Sequence, residues 1–345
     1  MHEQSTASVA GSSNPYFQQS GVQMVSEHAC QSCHRPHSAD KSERLLHYRH
    51  TQDNCLSCHD GSVALDVRSQ LAMTSSHDGM AYRNVHDIKE SPVTSPRHVT
   101  CEDCHNPHAV QDMVTQAPLV SPTMNKVSGV TASGGMIQTA RYEYEVCFKC
   151  HGDNPSRVES RITRDVSQTN TRLEFDPSGP SSHPVVSMGV SKNVPSLRLP
   201  MTVASVIYCT DCHGSSDSRV KGPHGSMFSP LLKANYDTSD YTTESESAYA
   251  LCYQCHSRNS IVSNESFPGH KRHLDQRIPC SACHDAHGIS SAQGNSTNHS
   301  HLINFDTGIV DKDPGTGLLK FEDLGIQKGQ CTLQCHGQQH SAEGY

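Results

Sequence analysis

The sequence predicts a fold that is mostly coil with short α-helices and little β, wrapped around an interior not built from side chains. Three observations carry this. First, only 34% of the 345 residues are hydrophobic, aromatics are 5% and tryptophan is absent. Ordinary globular chains reach ~45–50% apolar with glycine counted. Such a chain buries too little apolar surface to offset the entropy of ordering itself. Second, it holds 16 cysteines and 25 histidines. Third, the cysteines fall into closely spaced pairs, each followed directly by a histidine.

Seven segments read Cys-x-x-Cys-His. They are Cys30, Cys33 and His34; Cys55, Cys58 and His59; Cys101, Cys104 and His105; Cys147, Cys150 and His151; Cys209, Cys212 and His213; Cys252, Cys255 and His256; and Cys280, Cys283 and His284. An eighth has one extra residue between its thiols, Cys331 and Cys335, before His336. No cysteine is left over. This is the chemistry of covalent haem attachment. Two thiols add to the two vinyl groups on one haem edge, and the following histidine is held under the iron as proximal ligand. The eighth motif is expected to attach haem through a bulged loop. Zinc needs such pairs to converge in fours and gives no reason for the invariable histidine. Thioredoxin-like motifs occur singly, and a disulfide net does not repeat the short spacing. The expected cofactors are therefore eight covalently bound haem c groups, each with iron.

Each haem has a second face. Histidine on both faces suits a pure electron carrier, whereas an open face admits small molecules. The ten methionines show no fixed relation to the motifs; several histidines do. His37, His108 and His287 each follow a proximal histidine by three residues, too close to cross to the far side of the same haem, so a neighbouring haem is expected for each. His224 is the later counterpart after His213. His77 and His183 stand in Ser-Ser-His, His270 in Pro-Gly-His, and His301 in His-Leu-Ile-Asn-Phe. These eight are the distal candidates. Of the other nine (His2, His28, His47, His50, His86, His98, His273, His299 and His340), most are expected at the surface. His50, His98, His273 and His340 lead as alternative ligands.

The motifs come in pairs, an internal repetition. The expected organisation is an N-terminal arm at 1–27, then two-haem units at 28–76, 77–182, 183–269 and 270–345. Residues 113–140 and 152–200, rich in Ser, Thr, Gly and Pro, read as surface loops. Short helical turns are expected at the motifs, because two thiols and a histidine must share one face. Ser245 to Cys255 is the best helix candidate, and Val203 to Tyr208 a short strand. About 43 residues serve each haem, too few for eight separate cores. The haems are therefore expected as a stacked array. Residues 1–27 are expected as a disordered tail, with a subunit-binding arm hooked by Pro15-Tyr16-Phe17 as the alternative.

A formal charge of −8 and a pI near 6.3 give no sign of nucleic-acid binding. No stretch approaches the ~18 apolar residues of a membrane span. Met1 to Ser13 is polar and lacks a signal-peptide core. The expectation is an exported protein whose signal has been removed, because such haem attachment happens outside the cytoplasm.

Cys-His-Asn-Pro-His at 104–108 and Cys-His-Asp-Ala-His-Gly at 283–288 resemble the doubled-CXXCH family of multihaem cytochromes. The resemblance runs from Cys30 onward. It is strongest in Pro279-Cys280-Ser281-Ala282-Cys283-His284, in His301-Leu302-Ile303-Asn304-Phe305-Asp306 and in Cys335-His336-Gly337. It implies an exported cytochrome of bacteria or archaea that respire metals or other extracellular acceptors. Some multihaem cytochromes of such organisms polymerise into filaments with a continuous haem chain. The long inter-motif segments and the eighth motif depart from the pattern, so haem geometry is not carried over. The expected role is an electron conduit, extracellular or at the cell surface. Its expected partners are further copies of itself, head to tail, together with redox proteins and external acceptors. A monomeric periplasmic or surface shuttle is the alternative. Octahaem reductases share the haem count but mark a catalytic haem by an altered proximal residue or a cross-linked tyrosine. Every motif here ends in histidine, so no catalytic residue is assigned.

Overall fold

The computed structural model describes residues 1–345 apart from 38–41, 82–89, 92–93, 97 and 156–159; His86 lies outside the described residues. Short helices mark the chain: α1 (Pro15–Ser20), α2 (Thr51–Leu56), α3 (Cys101–Cys104), α4 (Glu143–His151), α5 (Cys209–Cys212) and α6 (His270–Asp275). Strands are mostly two residues long: β1 (Ser75–Ser76), β2 (Ser181–Ser182), β3 (Gly225–Ser226), β4 (Gly288–Ile289) and β5 (Val310–Asp311). Three longer ones follow: β6 (Lys320–Gly325), β7 (Lys328–Cys335) and β8 (Gln338–Gly344). The chain is thus mostly coil, as its composition predicts. No helix among the described residues is long and apolar enough to cross a membrane.

The chain divides into two compact units. One comprises 1–129, 136–146 and 210–233; the other comprises 130–135, 147–209 and 234–345.

In the first unit the N-terminal arm is folded, against the expectation of a tail. Asn14 caps α1 by accepting from the Tyr16 amide, and Gly21 ends the helix with φ 69°. Val9, Phe17, Val22 and Val25 form a buried cluster against Cys58 and Val63. Ser12 Oγ donates to the Ser57 carbonyl at 3.0 Å, and Asn14 Nδ2 to that of Ser32 at 3.1 Å. Burying Phe17 alone contributes about 1.5–3 kcal/mol. β1 pairs antiparallel with β3, Ser76 opposite Gly225.

In the second unit β2 pairs with β4 in the same manner, Ser182 opposite Gly288. β7 pairs with β8 on one edge and with β5 and β6 on the other. This four-stranded sheet covers a core of Ile278, Ala282, Ile303, Phe305, Phe321 and Leu333. A second cluster, Ala248, Tyr249 and Tyr253, packs on Cys252 and Cys280. Ser245 to Cys255 forms turns that end in one 3-10 turn rather than a helix. Val203 to Tyr208 makes no strand; its Ile207 amide donates to the Pro184 carbonyl instead.

Candidate functional site

The backbone of the motifs is built by one repeated bond. The amide of the histidine donates to the carbonyl of the first cysteine, four residues back: His34 to Cys30 (3.0 Å), His59 to Cys55 (3.0 Å), His105 to Cys101 (2.8 Å), His256 to Cys252 (3.0 Å) and His284 to Cys280 (2.9 Å). A single helical turn brings the two thiols and the imidazole to one side. The fourth motif departs from the short turn expected for it. Cys147, Cys150 and His151 form the last residues of α4, the longest of these helices. The turn continues past the motif, where the Gly152 amide donates to the Phe148 carbonyl at 3.1 Å. Cys147 and Cys150 are half-buried there, and His151 is exposed. None of the sixteen cysteines is joined in a disulfide. Burial pushes Cys252 up to about 11 and Cys283 up to about 12, so these thiols stay protonated at neutral pH.

A returning strap then fixes four of the motifs. At His34, His213, His256 and His284 the partner segment bridges antiparallel through Leu46, Leu232, Leu197 and Ile303 respectively. The residue after each bridge donates to the second cysteine: His47 to Cys33 (3.0 Å), Lys233 to Cys212 (2.9 Å), Arg198 to Cys255 (2.8 Å) and Asn304 to Cys283 (2.8 Å). The residue after each motif histidine donates back to the strap, Arg35 to Leu45 and Asp285 to Leu302 among them. Left-handed residues turn the chain into three straps: Arg44 and Leu45, Leu231, and His301 and Leu302. The strap also holds the ring. Nδ1 of His34 donates to the Arg44 carbonyl (2.8 Å), that of His213 to Pro230 (3.2 Å) and that of His284 to His301 (2.9 Å). His105 donates likewise to Thr123 (2.9 Å), and His256 Nδ1 meets Ser196 Oγ at 2.8 Å. An Nδ1–H engaged in this way leaves Nε2 with its lone pair outward, the form that ligates metal.

The histidines meet in pairs. Ring centres lie 6.0 Å apart for His34 and His108, 6.0 Å for His105 and His224, 6.4 Å for His256 and His183, and 6.2 Å for His284 and His270. Aromatic packing alone spans this range. Two imidazoles sharing one metal ion at about 2.0–2.1 Å also place their ring centres roughly 6 Å apart, each ring adding about 1 Å. The Nδ1 contacts favour the second arrangement. His183 Nδ1 donates to the Ala286 carbonyl at 2.6 Å, and His270 Nδ1 meets Ser266 Oγ at 3.1 Å. Burial pulls His224, His256 and His284 down to about 4 and His270 to about 3, so these rings are neutral near pH 7. Cysteine pairs outside any disulfide suit the two vinyl groups of a haem, and outward Nε2 atoms with neutral facing imidazoles fit its iron.

Residues 23–64 and 201–260 match the family model described as the doubled CXXCH motif. The match in these two stretches supports a likeness to multihaem c-type cytochromes. Doubled CXXCH motifs indicate covalently bound haem c, the cofactor of electron-transfer cytochromes. No curated protein and no solved structure matches the chain.

The other distal candidates sit differently. His77 and His224 adjoin on the β1–β3 ladder, where the His77 amide donates to the His224 carbonyl at 3.2 Å. His183 and His287 adjoin on the β2–β4 ladder by the same bond, 3.0 Å. His77 Nδ1 donates to Pro223 (2.8 Å), and His287 Nδ1 meets the Glu174 carboxylate (3.0 Å). His37 is exposed. His301 turns its Nε2 to Asp323 at 3.4 Å, while its carbonyl takes the strap role that Pro230 and Arg44 play elsewhere. Two of the alternative ligands, His273 and His340, form a fifth ring pair at 6.3 Å. His2, expected at the surface, is half-buried, and its proximity helps burial hold the His59 imidazole below its ordinary value. The straps escape sequence reasoning but leave a trace there, the recurring x-Leu-Leu or x-Leu-Ile of Arg44-Leu45-Leu46, Pro230-Leu231-Leu232 and His301-Leu302-Ile303.

Proposed function

We propose that this cytochrome carries eight haems, one at each cysteine pair, and passes electrons between bis-histidine irons. The single observation that carries the reading is the set of four motif histidines facing distal candidates at 6.0–6.4 Å. Each attachment adds a thiol S–H across a vinyl C=C, sulfur to the inner carbon and hydrogen to the terminal one, with no net oxidation. Sequence order gives His34, His59, His105, His151, His213, His256, His284 and His336 as the proximal assignments. The residues set spacing, burial and ligand, and through these the potentials. Intact mass of the mature holoprotein tests the count: eight haems support the reading, and seven or fewer refute it.

We further propose an exported protein that polymerises head to tail into an extracellular filament. Its support is the run of repeated motifs along the chain from Cys30 to Cys335, since heterologous contacts between such repeats propagate unless they close. The folding of residues 1–27 onto Cys58 and Val63 favours a second reading, a discrete shuttle, because the apolar hook is already covered by its own chain. Electron microscopy of protein sheared from cells separates the two. Regular filaments support the first, and discrete particles refute it.

A further inference from the structure

Beside the third attachment motif stands a cluster of ligating side chains that the motifs do not use. Glu90, His98 and Asp103 come from three points of the first unit, and each offers one donor atom. These atoms all lie within 4.8 Å of one another. Asp103 belongs to α3, between Cys101 and Cys104. Thr100 fixes its carboxylate, donating to Oδ2 from its amide at 2.7 Å and from its hydroxyl at 3.0 Å. Glu102, next to it, is engaged by Arg44 at 2.8 Å instead.

His98 is the decisive member. Its side chain is 10% exposed, and its Nδ1 donates to the Pro96 carbonyl at 2.8 Å. A carbonyl only accepts, so the proton of the neutral ring sits on Nδ1 and the lone pair on Nε2. That Nε2 stands 2.9 Å from Glu90 Oε1. Two acceptors this close need a cation between them. A proton answers one of the two carboxylates of the cluster; a divalent ion answers both. The spacing suits such an ion. Bonds of about 2.0–2.2 Å place neighbouring donors about 3.0–3.4 Å apart and opposite donors about 4.2 Å apart. The 2.9 Å contact meets the first separation, and a carboxylate turn that closes about half an ångström brings the 4.8 Å span to the second. The donors also name the class of ion. One imidazole with two carboxylates suits zinc, whereas calcium and magnesium take oxygen alone.

We propose that Glu90, His98 and Asp103 bind one divalent transition-metal ion of the zinc class, with water in its remaining positions. The site goes beyond the electron-transfer reading and stands without it. It gives His98 a metal other than haem iron. Its consequence for electron transfer does rest on the haem reading. Asp103 directly precedes Cys104, so a dication there favours the reduced form of a haem attached at Cys101 and Cys104 and raises its midpoint potential.

The test is isothermal titration calorimetry of the chelator-treated holoprotein with zinc chloride and, separately, with calcium chloride. Wild type is expected to show one zinc site tighter than any other, with calcium weaker there by at least about 100-fold. His98→Gln, Glu90→Gln and Asp103→Asn are each expected to weaken that site by at least about tenfold. His28→Ala, which removes an exposed histidine elsewhere, should leave it unchanged. Asp103→Asn keeps an oxygen for Thr100, and an unaltered urea midpoint shows that each variant has folded. A zinc isotherm that none of the three variants changes overturns the proposal, and so does a calcium affinity equal to that for zinc. Redox titration with and without zinc is expected to move one midpoint potential upward in wild type and none in His98→Gln. No such shift, with the calorimetric site intact, overturns the coupling to the haem and leaves the metal site standing.

Discussion

Arg164→Ala probes how the frame around one attachment motif is held. The guanidinium is 8% exposed and lies among carbonyls of two segments. Nη1 donates to Ser281 (2.6 Å) and Asn304 (2.8 Å), and Nη2 to His284 (3.0 Å). Its Nε is 3.6 Å from the Asp285 carboxylate. One side chain thus ties the Cys280 turn to the strap that orients the His284 ring. A hydrogen bond to a charged group contributes about 1.5–3 kcal/mol, and removing one partner of a buried ion pair costs about 3–5 kcal/mol. These contributions share atoms and do not add. The expected loss is therefore about 3–5 kcal/mol, a urea midpoint lower by roughly 1–2 M. The assay is a urea titration of the oxidised holoprotein, followed through its low-spin visible band. Arg164→Lys keeps the charge without the planar fork and should fall between the two. A midpoint for Arg164→Ala within about 0.3 M of wild type would refute the reasoning.

Four further outcomes are expected. His108→Ala should keep every thioether and turn one haem high-spin, whereas His37→Ala leaves the EPR spectrum unchanged. His301→Ala should keep all irons low-spin, because His284 uses the His301 carbonyl and not its ring; a new high-spin signal would restore His301 as a ligand. Gly225→Ala should destabilise by about 3 kcal/mol or more, because the added Cβ would lie 1.8 Å from the Gln70 carbonyl oxygen; an unchanged urea midpoint would show that β3 is not clamped there. Redox titration should give mostly negative, spread midpoint potentials, and a clearly positive set would point to methionine ligands.

The motifs are legible in the sequence because covalent chemistry fixes their spacing, whatever the fold around them. Cys147 and Cys150 keep that spacing inside a nine-residue helix just as Cys252 and Cys255 keep it around a single 3-10 turn. The sparse secondary structure is legible too, since the composition offers no large apolar core. The ring partners are legible only in part. His108, His183, His224 and His270 meet motif histidines in the structure, but His37 and His301 stand in equally regular positions and do not. What sets His301 apart is the strap, a backbone device of left-handed residues and carbonyls that sequence spacing does not encode. Pro230 fills the position of His301 and has no ring nitrogen to offer, so the position itself calls only for a carbonyl. The N-terminal arm reads as a tail because the four residues it buries, Val9, Phe17, Val22 and Val25, are scattered among twenty-seven; their cluster is completed by Val63 and Cys58, far along the chain. The C-terminal hairpin is hidden because a cysteine pair with one extra residue suggests a loop. The alternation through Cys331, Leu333 and Cys335 is that of a strand.

The most direct measurement of bis-histidine ligation is a spin-state count on the native, untreated holoprotein. Low-temperature EPR, with magnetic circular dichroism in the near infrared to identify the ligands, reports every iron at once. All irons are expected to be low-spin with nitrogen from histidine on both faces, and cyanide and nitrite are expected to leave the spectra unchanged. A five-coordinate iron in the native protein, or one that takes up either anion, would contradict this and point to a haem with an open face.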